Sequence, residues 1–151
     1  MRAGDLVEDF ELDDQTGTRR RLGELLAAGP VVLFFYPAAM TAGCTAESCH
    51  FRDLAGEFAA VGAQPVGISP DPVGKQGDFA HRHGFGFPLL SDPDREVAAQ
   101  FGVRRRFGPL PVRRRTFVIS TDRRVLEVVG GELRMAAHAD SALEVLRRQT
   151  R

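Results

Sequence analysis

Cysteine is scarce in this chain: Cys44 and Cys49 are the two among 151 residues. Two thiols leave no second pair for a zinc site, and their spacing is not the C-x-x-C of a dithiol oxidoreductase. Lysine is scarcer still, with Lys75 alone among 20 basic residues. Neither sign of charge is in excess, since 20 acidic residues balance the 20 basic ones. A neutral total argues against nucleic acid or a membrane surface as the main partner. Long hydrophobic runs are missing as well, and no signal peptide, membrane span or lipidation motif is visible. The expected compartment is the cytoplasm, where a dithiol is more often catalytic than structural. Repeats, linkers and low-complexity segments are also absent, so one domain over residues 1–151 is expected.

Present in quantity are apolar residues, 43% of the chain, enough for a sizeable core. Turn residues 13–17 separate two short strands near the N-terminus, a hairpin. Residues 22–28 read as a short helix stopped by Gly29-Pro30. A continuous β-branched and aromatic run, 31–36, reads as a fully buried strand. Helix spacing follows over 41–61, then a strand at 64–69, a helix at 73–83 and a strand at 89–90. A helix over 94–101 comes next, led by a Ser91-Asp92-Pro93-Asp94 cap. Residues 102–112, rich in Arg, Gly and Pro, read as an exposed loop. Strands at 115–120 and 125–129 form a second hairpin, and a last helix capped at Asp140 or Ser141 runs to Gln149. Alternating strands and helices ending in a hairpin predict an α/β fold, a central mixed sheet with helices on both faces.

Both cysteines fall in the stretch from Tyr36 to Cys49, where a buried strand breaks and a helix starts. Pro37 ends the strand. Thr41 is the expected N-cap, its hydroxyl placed to accept the Cys44 N–H. Cys44 then sits in the first turn, where unpaired N–H groups and the helix dipole favour a thiolate. Gly43 has no Cβ, which predicts an approach to the sulfur from that side. Cys49 lies five residues on, about 8–9 Å away between Cα atoms on an ideal helix. A disulfide tolerates about 7 Å, so the two sulfurs can join only if the first turns unwind. Spacing alone leaves redox chemistry and inert buried thiols both open. A metal site drawing on Cys44, Cys49 and His50 would lack a usual zinc spacing.

The pattern of Pro37, Thr41, Cys44 and Glu47 resembles the peroxiredoxin active-site motif, P-x-x-x-T-x-x-C followed by T-x-E. The further Cys49 resembles the bacterioferritin-comigratory-protein, or peroxiredoxin Q, branch. The likeness extends over nearly the whole chain, including the F-P-L-L-S-D-P element around Leu89. It implies a thioredoxin-like fold with an N-terminal hairpin. It implies that Cys44 is the peroxidatic and Cys49 the resolving thiol, joined in an intramolecular disulfide. Three arginines, 113 to 115, precede Thr116-Phe117, and periodicity does not choose among them. The family's active-site arginine stands three residues before this phenylalanine, which maps to Arg114. Glu47 would orient Arg114 through an ion pair or stand as an exposed helix carboxylate, and Pro37 would shield the thiolate from water.

The expected activity is reduction of hydrogen peroxide and organic hydroperoxides, recycled by a thioredoxin-like dithiol, with no metal or other cofactor. With no further cysteine after Cys49, a disulfide between subunits is not expected, and the chain is read as a monomer or weak homodimer. The alternative is a redox-sensing or interaction module that uses the same dithiol to change a binding surface. Among the histidines, His138 is expected in a loop before the last helix, at the surface or in a cap. His50, His81 and His83 receive no role.

Overall fold

A computed structural model describes residues 1–132 and 135–149. Its centre is β3 (Val31–Phe35), a strand buried along its whole length. Parallel to β3 runs β4 (Gln64–Ser69), and parallel to β4 runs β5 (Leu89–Ser91). On its other side β3 pairs antiparallel with β6 (Arg115–Ile119), and β6 with β7 (Val125–Gly130). The N-terminal hairpin, β1 (Glu11–Asp13) and β2 (Arg19–Arg21), joins through β1 against β5. Seven strands therefore stand in the order β2-β1-β5-β4-β3-β6-β7. The mixed sheet and its hairpin agree with the expected thioredoxin-like architecture.

Side chains alternate across a strand, so β3 feeds two cores. Val31, Leu33 and Phe35 face one layer with α1 (Leu22–Leu26) and α5 (Glu96–Gln100). Val32, Phe34 and Tyr36 face the other, with α2 (Ala42–Asp53), α3 (Ala55–Ala60), α4 (Val73–His83) and α6 (Met135–Gln149). Phe51 of α2 stacks on Phe34 with ring centroids 4.1 Å apart, which seats the helix carrying both cysteines on the central strand.

The largest departures from the expected boundaries are in three helices. The helix read over 41–61 is broken at Leu54, whose ψ of 6° leaves the helical region. The apolar period survives because Phe51 and Phe58, seven residues apart, stay on one face with centroids 5.9 Å apart. The helix read over 94–101 begins two residues later, and Asp92 accepts the N–H groups of Glu96, Val97 and Ala98. The last helix begins at Met135, so Asp140 is not its cap. It lies mid-helix, and its carboxylate meets His50 Nε2 of α2 at 2.8 Å.

Candidate active site

Two consequences of the topology converge where β3 ends. The chain leaves the sheet at Tyr36, whose N–H donates to the Ile68 carbonyl. It crosses buried Pro37, passes Met40 at φ 71°, and enters α2 at Ala42. Register then brings in the arginine. Phe35 stands opposite Arg115 in the antiparallel β3–β6 pair, so the residue before β6 lies beside the loop that follows β3. That residue is Arg114. Its Nη2 donates to Cys44 Sγ at 3.3 Å and its Nη1 to Glu47 Oε1 at 2.9 Å. Cys44 and Glu47 are three apart on α2, hence on one face, and the guanidinium fork spans both. Neither Arg113 nor Arg115 makes such a contact with the cysteine.

These groups lie deep in the protein. Cys44 and Glu47 expose no surface and Arg114 only 4%. Burial, helped by the Glu132 charge, pushes the Glu47 carboxyl up to about 7 against the pull of Arg114. For Arg114, burial works against the charge, but Glu47 and Cys44 outweigh it and hold the pKa above its ordinary value. The backbone ladder of α2 begins with the Thr45 N–H on the Thr41 carbonyl. The Ala42, Gly43 and Cys44 N–H groups precede that bond, so the sulfur sits at the positive end of the helix.

Two expectations are corrected here. Thr41 does occupy the N-cap, but its exposed hydroxyl donates to the Ala38 carbonyl at 2.8 Å and makes no bond to Cys44. A short turn within the loop takes up the hydroxyl instead. The open side at Gly43 is also filled. A Cβ there would lie 2.9 Å from Met135 Cε and 3.4 Å from Arg114 Nη2. The glycine makes room for the protein's own arginine and methionine rather than for a visitor. Cys49 is half-buried farther along α2, against the same apolar layer, and both thiols are free.

Sequence reasoning missed two groups. Asp71 is buried behind the loop and accepts the Ala39 N–H at 2.6 Å and the Ser69 hydroxyl at 2.7 Å. Ser69 in turn accepts from Gln76, whose carbonyl takes the Tyr36 hydroxyl. This network clamps the stretch 36–39, while the surrounding Ser-Pro-Asp-Pro reads only as a turn. His138 was expected at the surface or in a cap, ahead of the last helix. It is fully buried in α6, between the Thr116 hydroxyl and the Gly131 carbonyl, each 2.8 Å away. Its Nδ1 lies 3.6 Å from Glu47 Oε2. The one available signal was its place three residues before Ser141 in an amphipathic run, four before Ala142, which would have required starting the helix earlier. His81 and His83 stay outside this cluster. Among the described residues, no three His, Cys, Asp or Glu side chains are grouped to hold a metal ion.

A buried cysteine at a helix start, bridged by an arginine to a glutamate one turn on, can now be set beside known proteins. The AhpC/TSA family profile matches residues 3–128. The chain belongs to the AhpC/TSA family. Within it, the Escherichia coli protein Peroxiredoxin Bcp is 35% identical over 152 residues, covering 97% of this chain and 96% of that protein. The crystal structure of peroxidoxin BcpB from Mycobacterium tuberculosis superposes with a TM-score of 0.94 at 63% identity, covering 98% of this chain and 97% of that one. A Xanthomonas campestris bacterioferritin comigratory protein, studied for its alkyl peroxide reduction activity, superposes at 0.86 with 31% identity, over 97% and 100% of the two chains. This AhpC/TSA chain is thus a peroxiredoxin of the bacterioferritin-comigratory-protein branch, and membership implies thiol-peroxidase chemistry. No helix among its described residues is long and apolar enough to cross a membrane.

Proposed function

We propose that the chain reduces hydroperoxides through Cys44 and resolves the product with Cys49. The observation that carries this reading is the Arg114 fork, one arm on the Cys44 sulfur and the other on Glu47. A fixed guanidinium beside the sulfur favours its anion and offers donors to a peroxide oxygen. The Cys44 thiolate attacks the terminal oxygen, the O–O bond breaks, and the leaving alkoxide takes a proton to become an alcohol or water. Cys44 is left as a sulfenic acid. With α2 intact from Ala42 to Asp53, helix geometry puts the two cysteine Cα atoms about 8–9 Å apart, beyond the roughly 7 Å a disulfide allows. The first turns of α2 therefore unwind, the Cys49 sulfur attacks the sulfenic sulfur, and water leaves as the disulfide forms. A thioredoxin-like dithiol then restores both thiols by exchange, itself becoming the disulfide. In this scheme Thr41 and Pro37 shape the loop that presents the sulfur.

Intact mass after one equivalent of peroxide tests the cycle. Wild type should lose two hydrogens and regain them with reduced thioredoxin. Cys49→Ser should stop one oxygen heavier after a single turnover, and Cys44→Ser should consume no peroxide. Retained turnover in Cys44→Ser would end the proposal. A second reading, a redox-dependent interaction module, draws on the loop 102–112, whose flanks Val103 and Val112 are buried in the core but whose tip is exposed. There Arg104, Arg105 and Arg106 line a groove of about 910 Å³ and Phe107 is 87% exposed. Slow oxidation of Cys44 by micromolar peroxide in stopped flow would favour that reading over the enzyme.

A further inference from the structure

Glu47 has two carboxylate oxygens and the arginine uses one. The other, Oε2, is buried with no hydrogen-bond partner. An orphaned acceptor at this depth costs stability, so something must compensate. The group facing it is His138 Nδ1, at 3.6 Å, too long for a hydrogen bond.

The ring's protonation follows from its partners. A carbonyl only accepts, so Nε2 carries a hydrogen toward Gly131 O. In a neutral ring Nδ1 is then bare and accepts the Thr116 hydroxyl. A bare Nδ1 beside a bare carboxylate oxygen sets two lone pairs against each other. One proton relieves this, on Nδ1 as an imidazolium or on Oε2 as a carboxylic acid. The charged groups facing His138 bear on where it sits: Glu47 of α2, Arg114 just before β6, Arg115 in β6 and Glu132 after β7. Asp140, on the same helix, is engaged with His50. Burial raises Glu47 to about 7 and lowers His138 from its ordinary 6.5, so the carboxyl competes with the ring for the proton.

We propose that His138 is a positioning residue for Cys44, sharing one proton with Glu47 and thereby setting how much of the Arg114 charge remains for the sulfur. With the proton present, Glu47 and His138 together carry no net charge, and Arg114 is left to the sulfur and the peroxide. With it gone, Glu47 is a full carboxylate with a neutral ring behind it, and Arg114 is drawn to Oε1. His138 touches neither sulfur nor substrate, and it acts through Glu47 alone. The inference rests on the reading of Cys44 as the thiolate that peroxide oxidises.

The test follows the second-order rate of Cys44 oxidation by hydrogen peroxide from pH 5 to 9, in the full-length reduced protein. Wild type is compared with His138→Gln, His138→Leu, Glu47→Gln and the Glu47→Gln/His138→Gln double variant. We expect each His138 variant to react about tenfold more slowly near neutrality, the scale of a modest misplacement at a reacting centre. We expect a titration step present in wild type to be missing from both. The double variant should be little slower than Glu47→Gln alone, because one proton is removed twice. A purely structural histidine would lower thermal stability and leave the pH profile in place, and that result overturns the proposal, as do fully multiplicative effects. Should the His138 variants misfold, ring NMR decides: the His138 titration must change between wild type and Glu47→Gln, and identical curves overturn it. Wild-type Cys44 that fails to react would refute the peroxidase reading, while the NMR arm would still judge the shared proton.

Discussion

Glu47 shows how one buried residue ties stability to pH. Its carboxyl is raised from 4.5 to about 7, burial being the main cause. The folded state therefore holds a proton that the unfolded state releases above about pH 4.5. Stability from this group is fully present below that pH and is lost as pH rises through 7. The span corresponds to about 3–4 kcal/mol at roughly 1.4 kcal/mol per unit, as an order of magnitude. His138, lowered by burial, works the other way. It binds fewer protons when folded, so its contribution grows as pH rises toward the ordinary histidine value of 6.5. Above that pH only the Glu47 loss remains. Glu47→Gln should accordingly flatten the decline in unfolding free energy between pH 6.5 and 8, as measured by urea titration at fixed pH steps. Parallel wild-type and variant curves would show that Glu47 ionises normally in the fold. Legibility at this scale was uneven. Cys44, Glu47 and Arg114 stood out by motif, and Pro37 by its place at the strand end. Asp71 and His138 did not, because each acts through tertiary partners far off in sequence, Ala39 for one and Thr116 for the other.

Element boundaries were readable wherever a local signal decided them. Pro37 ends β3, and Gly84 ends α4 in a left-handed conformation at φ 67°. They were misread where residues with capping character were engaged elsewhere. Asp140 looks like a helix start but reaches across to His50, and Leu54 breaks a helix with neither glycine nor proline. The proposed cycle places its largest demand on α2, whose first two turns must melt while Phe51 stays stacked on Phe34. The ease of melting is then set by helix propensity at exposed positions. Ala46 is exposed and lies between the cysteines. Ala46→Gly should weaken the helix by about 1 kcal/mol without disturbing any contact. Conversion of the Cys44 sulfenate to the disulfide should speed up by about fivefold, an amount of the same order. The first step, oxidation of Cys44, should be unchanged. Stopped-flow fluorescence or quenched-flow mass analysis separates the two steps. An unchanged second step would mean that unwinding does not limit resolution.

At the scale of the whole molecule, the alternation along β3 divides structural work from chemical work. The layer with Leu33 and Phe35 contains no part of the cysteine site, whereas the layer with Phe34 and Tyr36 contains Cys44 itself. Sheet hydrogen bonding joins the layers, so the protein should unfold as one unit while the two faces differ in what a mutation disturbs. Leu33 is fully buried between Val66 of β4 and Phe117 of β6. Leu33→Ala should cost about 2–5 kcal/mol, the usual range for emptying a core position. Typical domain stabilities of about 5–15 kcal/mol leave most of the variant folded at room temperature. Its Cys44 should then react with peroxide within about twofold of the wild-type rate, because the cavity opens on the opposite face and packing shifts fade over about 7–10 Å. Chemical denaturation followed by stopped-flow oxidation below the transition checks both halves. A large fall in rate with the fold intact would mean that β3 passes strain through the sheet to the Arg114 fork, and the two layers would then have to be treated as a single mechanical body.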